Sequence, residues 1–223
     1  MSDNTFIPNF SAILFDLDGT LVDTAPDLAY ALNTLLEQEG FSTLPFDDIR
    51  PVASHGSPAL LSLGFGISTE DENYSSLQKR FLQLYQDNIT RETGLFDGME
   101  EVLTALEKAS ITWGIVTNKP AFLTEPLLEQ LNLSHRASCI VSADTTPFSK
   151  PHPAPMLHAC ELIQQQPEGC LYIGDAKRDI EAGKNANMQT VMALYGYLSN
   201  QDDPDSWLAD TVIKHPHDIL KWL

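Results

Sequence analysis

The stretch 11-SAILFDLDGTLVDTAP-26 decides how the rest of the chain is read. Four apolar residues, Ala12 to Phe15, run into two aspartates, Asp16 and Asp18, and then Gly19 and Thr20. A short continuous apolar run suits a strand buried on both faces, as in a parallel sheet. Asp-Gly between hydrophobic residues is also a strong hairpin signal. The stretch is therefore a turn closing a core strand, a strand end that carries chemistry, or both. In an extended chain, residues i and i+2 point the same way. Asp16 and Asp18 then share one side and Leu17 takes the other.

The same kind of run recurs at 113-WGIV-116, 139-CIV-141, 171-LYIG-174 and 190-TVMAL-194, and more weakly at 211-TVI-213. Helical patterns lie between them, over 99–110, 121–133, 153–166 and 179–188. This alternation predicts an α/β fold, a parallel sheet with helices on both faces. From Ala25 to Arg91 the pattern is helical only. Pro26 opens a helix over 27–39 that Gly40 ends. Shorter pieces follow at 47–54 and 58–65, then a long helix over 70–89. The expected organisation is a core domain of residues 1–22 and 95–223. An all-helical subdomain, 23–94, is inserted after the first strand, with Gly94 and Gly98 as its hinge.

Composition narrows the function. Hydrophobic residues make up 43% of the 223, enough for a real core. Thirteen Lys and Arg face 31 Asp and Glu, a formal charge of −18. Such a surface repels nucleic acid and anionic membranes, so neither is expected as a partner. A small phosphorylated metabolite would be repelled too, unless its site carries local cations. No apolar run is long enough to span a bilayer, and 1-MSDNTFIPNF-10 lacks the basic and apolar regions of a secretory leader. Cys139, Cys160 and Cys170 form no CxxC pair and are expected as buried free thiols, which suits a reducing cytoplasm. Gly64-Phe65-Gly66 is no dinucleotide fingerprint, and no Walker-type loop is present.

The residues after each apolar run are polar: Asp16, then Thr117 and Asn118, then Ser142, Asp144 and Lys150, then Asp175 and Asp179. In open parallel sheets, ligands bind at the carboxyl ends of the strands. Each feature alone has a plainer explanation. Thr117-Asn118 suits a turn, Lys150 a solvated surface, and Asp175 and Asp179 a helix N-terminus. Together, at four strand ends, they describe one site. Two carboxylates about 4 Å apart repel by roughly 4 kcal/mol at an effective dielectric near 20. The cluster therefore needs a cation, a shared proton, or both. Oxygen donors favour a hard ion, and Mg²⁺ is the usual one at phosphate sites. The chemistry this permits is phosphoryl transfer to a carboxylate. Asp16 attacks phosphorus, and Asp18 protonates the leaving alcohol and then activates water. Lys150 neutralises charge, while Thr117 and the main-chain amides around Leu17 and Asn118 hold oxygens.

Four segments, 15-FDLDGTLVDT-24, 116-VTNK-119, 149-SKPHP-153 and 174-GDAKRDIEAG-183, closely resemble the four motifs of the haloacid dehalogenase superfamily of phosphatases. The resemblance spans nearly the whole chain. It implies a Rossmann-like core, and the helical insert is similar to a C1-type cap. By resemblance, Asp16 is the nucleophile and Asp18 the general acid and base. Mg²⁺ would be held by Asp16, the Asp18 main-chain carbonyl and Asp175, with Asp179 in support, and phosphate by Thr117 and Lys150. True dehalogenases lack an aspartate at the position of Asp18.

Within the superfamily the chain is similar to the phosphoglycolate phosphatase branch. Through 95-LFDGM-99, 113-WGIVTNKP-120 and residues 195–216 it also resembles bacterial N-acetylmuramic acid 6-phosphate phosphatases of cell-wall recycling. Both substrates carry a carboxylate, so a cation is expected from the insert, and Arg50 and His55 are the nearby candidates. Arg50 could instead pair with Asp47 or Asp48, and His55 could bond within its own loop, 54-SHGSPALL-61. A phosphomutase of the same superfamily, a signalling receiver domain and a catalytically idle binding protein are the alternatives. The insert and Asp18 argue for turnover over a receiver. Monomer and homodimer are both open.

Overall fold

The computed structural model describes residues 10–223. Most of the segment read as lacking a leader, residues 1–9, lies outside the described residues. In chain order the structure begins with β1 (Ala12–Phe15) and β2 (Val22–Asp23). A helical stretch follows: α1 (Ala25–Gln38), α2 (Phe46–Ile49), a 3-10 turn Arg50–His55, α3 (Gly56–Phe65) and α4 (Tyr74–Asp87). Next come β3 (Gly94–Leu95), α5 (Met99–Lys108), β4 (Thr112–Val116), α6 (Ala121–Gln130) and β5 (Ile140–Val141). The chain closes with α7 (Ala154–Ile163), β6 (Cys170–Gly174), α8 (Lys177–Asn185), β7 (Gln189–Ala193), β8 (Thr211–Ile213) and a final 3-10 segment, Pro216–Trp222.

Six of the strands form one parallel sheet in the order β5-β4-β1-β6-β7-β8. This is the α/β architecture that the alternation predicts. The central strand β1 is wholly buried, with Phe15 opposite Ile115 on one side and Ile173 on the other. The order reverses at β1, so its carboxyl end opens at a topological switch point. Asp16 is the next residue. Phe15 also meets Trp113 edge to face, with centroids 6.5 Å apart.

The stretch from Ala25 to Asp87 holds helices joined by loops and no strand, as its pattern predicts, with local corrections. α1 starts with a first-turn proline and gives way to Gly40 at φ +78°. Its Leu32, Leu35 and Leu36 are fully buried in one cluster with Leu77, Phe81 and Tyr85 of α4. Each such side chain removed from water is worth about 1.5–3 kcal/mol. The long helix starts at Tyr74 rather than Glu70. The Asp71 carboxylate accepts hydrogen bonds from the Ser68 amide and hydroxyl, a local turn that competes with helix. After α2, Pro51 sits in the first turn of a 3-10 segment, because it cannot donate the hydrogen bond that a continuing helix needs.

The pair β2–β3 is absent from the sequence reading. Val22 lies opposite Leu95 and Asp23 opposite Gly94 in an antiparallel ribbon. Two-residue strands are too short to show any periodicity. Gly94 is held in this ribbon. Gly98 has φ +81°, and a Cβ there would collide with the rings of His215 and His217. The three cysteines are free and buried, as expected. Among the described residues no helix is long and apolar enough to cross a membrane.

Candidate active site

The strand ends bring the predicted residues together. Asp16 follows β1, Thr117 follows β4 and Asp175 follows β6, all three buried. Lys150, from the connection between β5 and α7, is 3% exposed and is the cation of the cluster. Its Nζ lies 2.8 Å from Asp16 Oδ1 and 2.8 Å from Asp179 Oδ1. It also donates to the Val116 carbonyl at 3.0 Å and to Tyr172 Oη at 2.8 Å. Lys150 is thus the opposite of a solvated surface lysine.

Asp179 serves both roles that its sequence position allows. Its Oδ2 accepts the Ala176 amide at 3.0 Å and caps α8. Its Oδ1 faces Lys150 and has no hydrogen bond of good geometry. Gly174 permits this approach, because a Cβ there would overlap the Asp179 side chain. On the other side, Gly19 at φ +86° lets the Asp18 turn fold against Asp175. A turn forms there but not a hairpin: the isolated Asp18–Val22 bridge is parallel, the Gly19 amide donates to the Val22 carbonyl at 3.0 Å, and β2 pairs with β3 rather than with β1.

Asp16, Asp175 and Asp179 each offer an oxygen, all within 4.8 Å of one another. Burial first, then the charge of Asp179, pushes the Asp16 carboxyl up to about 6 despite Lys150. Burial, then Asp16 and Asp179, pushes Asp175 up to about 7. Three buried carboxylates against the Lys150 ammonium and the Arg178 guanidinium leave a net negative charge when all are ionised. That deficit and an all-oxygen donor set fit a hard divalent cation such as Mg²⁺.

Asp18 points to the insert side. Its Oδ1 accepts from Thr24 Oγ1 at 2.6 Å and from Lys119 Nζ at 2.9 Å. Lys119 also donates to Tyr85 Oη of α4 at 2.9 Å. Burial disfavours the Lys119 charge, but Asp18 and Tyr85 outweigh it and raise its pKa. Above Asp16 and Asp18 opens a cavity of about 550 Å³. Thr117, Asn118, Lys119 and Arg178 line its core side, and Leu28, His55, Gln78 and Phe81 line the insert side.

Four sequence-predicted residues make contacts that the sequence reading did not include. The Arg50 guanidinium donates to the Gly196 and Tyr195 carbonyls, both at 3.0 Å, and does not line the cavity. Its planar fork is satisfied by two carbonyls of the core loop rather than by Asp47 or Asp48. His55 does line the cavity, but burial and then Arg178 lower its pKa and so disfavour its charged form. Asn118 lines the cavity while its side-chain amide brackets the Lys150 main chain, accepting from Lys150 N and donating to Lys150 O at 3.0 Å each. The Leu17 amide, expected to hold a phosphate oxygen, donates to Asp16 Oδ1 at 2.7 Å.

The cations that do face the cavity are Lys119 and Arg178, which the sequence reading passed over. Both lie inside the recognised segments, at 116-VTNK-119 and 174-GDAKRDIEAG-183. In a chain this acidic, a cation beside a strand-end motif was the signal available. Arg178 is largely buried, faces the charges of Asp179, Asp16 and Asp175, and donates to the Ser54 carbonyl at 2.8 Å.

The haloacid dehalogenase-like hydrolase family matches residues 13–193. An N-acetylmuramic acid 6-phosphate phosphatase of Pseudomonas putida is 38% identical over 210 residues, 94% of each chain. A phosphoglycolate phosphatase of Xanthomonas campestris is 41% identical over 205 residues, 92% of each. A crystal structure described as a predicted phosphoglycolate phosphatase from Haemophilus somnus superposes with a TM-score of 0.85 at 27% identity, covering 97% of this chain and 99% of that one. The chain belongs to the haloacid dehalogenase-like hydrolases.

Proposed function

We propose that this phosphatase is an Mg²⁺-dependent phosphomonoester hydrolase that works through an aspartyl-phosphate on Asp16. The observation that carries the reading is the buried cluster of Asp16, Asp175, Asp179 and Lys150 at the floor of the cavity. Asp16, the Asp18 main-chain carbonyl, Asp175 and Asp179 would hold the ion, which neutralises charge on the transferring phosphoryl group. Asp16 Oδ attacks phosphorus and the ester oxygen leaves. Asp18, starting in its protonated form, gives that oxygen its proton. It then takes one from the water that attacks phosphorus as the Asp16 Oδ–P bond breaks and phosphate is released. Lys150 offsets negative charge at the nucleophile, Thr117 binds phosphate, and Lys119 and Thr24 fix the Asp18 carboxylate.

The substrate we favour is a phosphorylated amino-sugar acid, N-acetylmuramic acid 6-phosphate. A cavity of about 550 Å³ falls among those that enclose ligands much larger than a two-carbon acid. Its apolar wall of Leu28, Phe81 and Leu123 suits a sugar face and acyl group, and Lys119 and Arg178 suit the acid. Phosphoglycolate is the second reading, supported by relatives of that name at 41% identity. Residues 23–94 act as a helical cap over the 1–22 and 95–223 core and close on the bound ester.

Phosphate release with Mg²⁺ from the two substrates, compared by kcat/KM, tests the reading. A large preference for the amino-sugar phosphate supports it. A preference for phosphoglycolate moves the substrate to the second reading. Isomerised product without free phosphate makes the chain a mutase, and no turnover with either substrate overturns the hydrolase.

A further inference from the structure

The 3-10 turn Arg50–His55 touches the core at three points. Arg50 grips the carbonyls of Tyr195 and Gly196. The Ser54 carbonyl accepts from Arg178 at 2.8 Å. The Ser54 hydroxyl donates to Asp175 Oδ2 at 3.0 Å. A second cavity, of about 320 Å³, lies behind the turn and reaches Asp175 from the other side. Ser54, His55 and Arg178 line both cavities, so the turn is the wall between them.

Asp175 has two other donors. The Tyr197 amide donates to Oδ2 at 2.9 Å and Thr20 Oγ1 to Oδ1 at 3.2 Å. Both come from outside the helical stretch. Ser54 is the donor that this stretch supplies. The carboxylate is otherwise wedged, because a Cβ at Gly19 or Gly196 would overlap it. Donors outside the metal shell orient a ligating carboxylate and set its basicity, and losing one typically weakens metal binding 10–100-fold. A donor carried on a separate structural segment makes affinity depend on how that segment is seated. By linkage the effect runs both ways, and a bound cation favours the seated segment.

We propose that Ser54 is a positioning residue for Asp175 that couples the seating of the Arg50–His55 turn to cation affinity. The proposal rests on the metal-dependent reading of the site. In its seated position the hydroxyl takes one lone pair of Oδ2 and turns the carboxylate toward Asp16 and Asp179. When the turn lifts, Asp175 loses this donor and the site holds its cation less tightly. Substrate closure and metal retention are thereby one event.

The test uses the full chain, freed of metal, with Mg²⁺ as the probe. Calorimetric titration gives the affinity, and hydrogen exchange over residues 50–55 gives the seating, each without turnover. The wild type should bind Mg²⁺ and exchange more slowly over 50–55 when it is bound. Ser54→Ala should raise the Mg²⁺ Kd about tenfold and abolish the slowing. Ser54→Thr, which keeps a hydroxyl, should restore much of both. Thr20→Val should weaken binding but keep the response of the turn. An unchanged Kd in Ser54→Ala, or a wild-type turn indifferent to Mg²⁺, overturns the coupling and leaves the phosphatase reading intact. A wild type that binds no Mg²⁺ overturns both.

Discussion

The Lys119 ammonium donates to Tyr85 Oη at 2.9 Å, and so ties the loop after β4 to helix α4. The same ammonium holds Asp18. Tyr85 is fully buried, so its hydroxyl has no water to turn to. Tyr85→Phe removes one acceptor of a buried ammonium and should destabilise the protein by about 1–3 kcal/mol in urea unfolding. Because Lys119 then loses its anchor on α4, kcat should fall more than KM rises. A variant of wild-type stability and turnover would show that the contact carries neither role.

Asp16 is the nucleophile of the proposed reaction, and its removal separates chemistry from binding. Asp16→Asn should lower kcat by about 10³-fold or more, as loss of a member of a catalytic unit does. Mg²⁺ binding, measured by calorimetry, should weaken without vanishing, since Asp175 and Asp179 stay. The variant should form no acid-stable, alkali-labile phosphoprotein. Retained turnover would rule out the aspartyl-phosphate route.

Lys150 is the buried cation of the carboxylate cluster. Lys150→Met leaves three buried carboxylates with Arg178 as their remaining cation and should cost about 3–5 kcal/mol of stability. Mg²⁺ should recover part of that loss, more than it adds to the wild type. Equal Mg²⁺ stabilisation of the two proteins would show that Lys150 does not share this electrostatic task.

The metal-free protein should lose stability as pH rises. The Asp16 and Asp175 carboxyls are pushed up to about 6 and about 7 by burial and by their neighbours. In the unfolded chain they titrate near 3.9. Between these limits the native state holds more protons than the unfolded one, so ∂ΔG/∂pH is negative. Their favourable contribution is complete below about pH 4 and is lost as pH passes through 6 to 7, on the order of a few kcal/mol. Saturating Mg²⁺ should flatten this slope. A melting temperature that climbs from pH 5 to 8 in chelator would contradict the assignment.

The sheet and the carboxylate set were legible because both rest on local signals. Buried parallel strands write themselves as apolar runs, and each run is followed by the residues of the site. Asp16, Thr117, Lys150, Asp175 and Asp179 converge as that pattern requires. What the sequence hid depends on side-chain direction over long separations. Arg50 sits in the right turn but satisfies its fork on the carbonyls of Tyr195 and Gly196, residues far away in the chain. Lys119 looks like a loop lysine until Tyr85 arrives from α4 to meet it. His55 reaches the cavity, but its burial and the nearby Arg178 disfavour its charged form, and no spacing rule reports burial. The β2–β3 ribbon escaped for a different reason, since two residues per strand carry no period.

That ribbon sets a boundary condition on how the chain can change. Val22 and Leu95 are direct neighbours, so the helical stretch leaves and re-enters the sheet layer through adjoining backbones. Closing a loop whose ends already touch costs little more when the loop is long, only about 0.6 kcal/mol per doubling of length. Whatever is carried between these two residues can be lengthened, shortened or exchanged while the register of β1, β4 and β6 stays as it is. The length of the helical stretch and the register of the central strands are therefore independent variables in this chain, joined at a seam four residues wide.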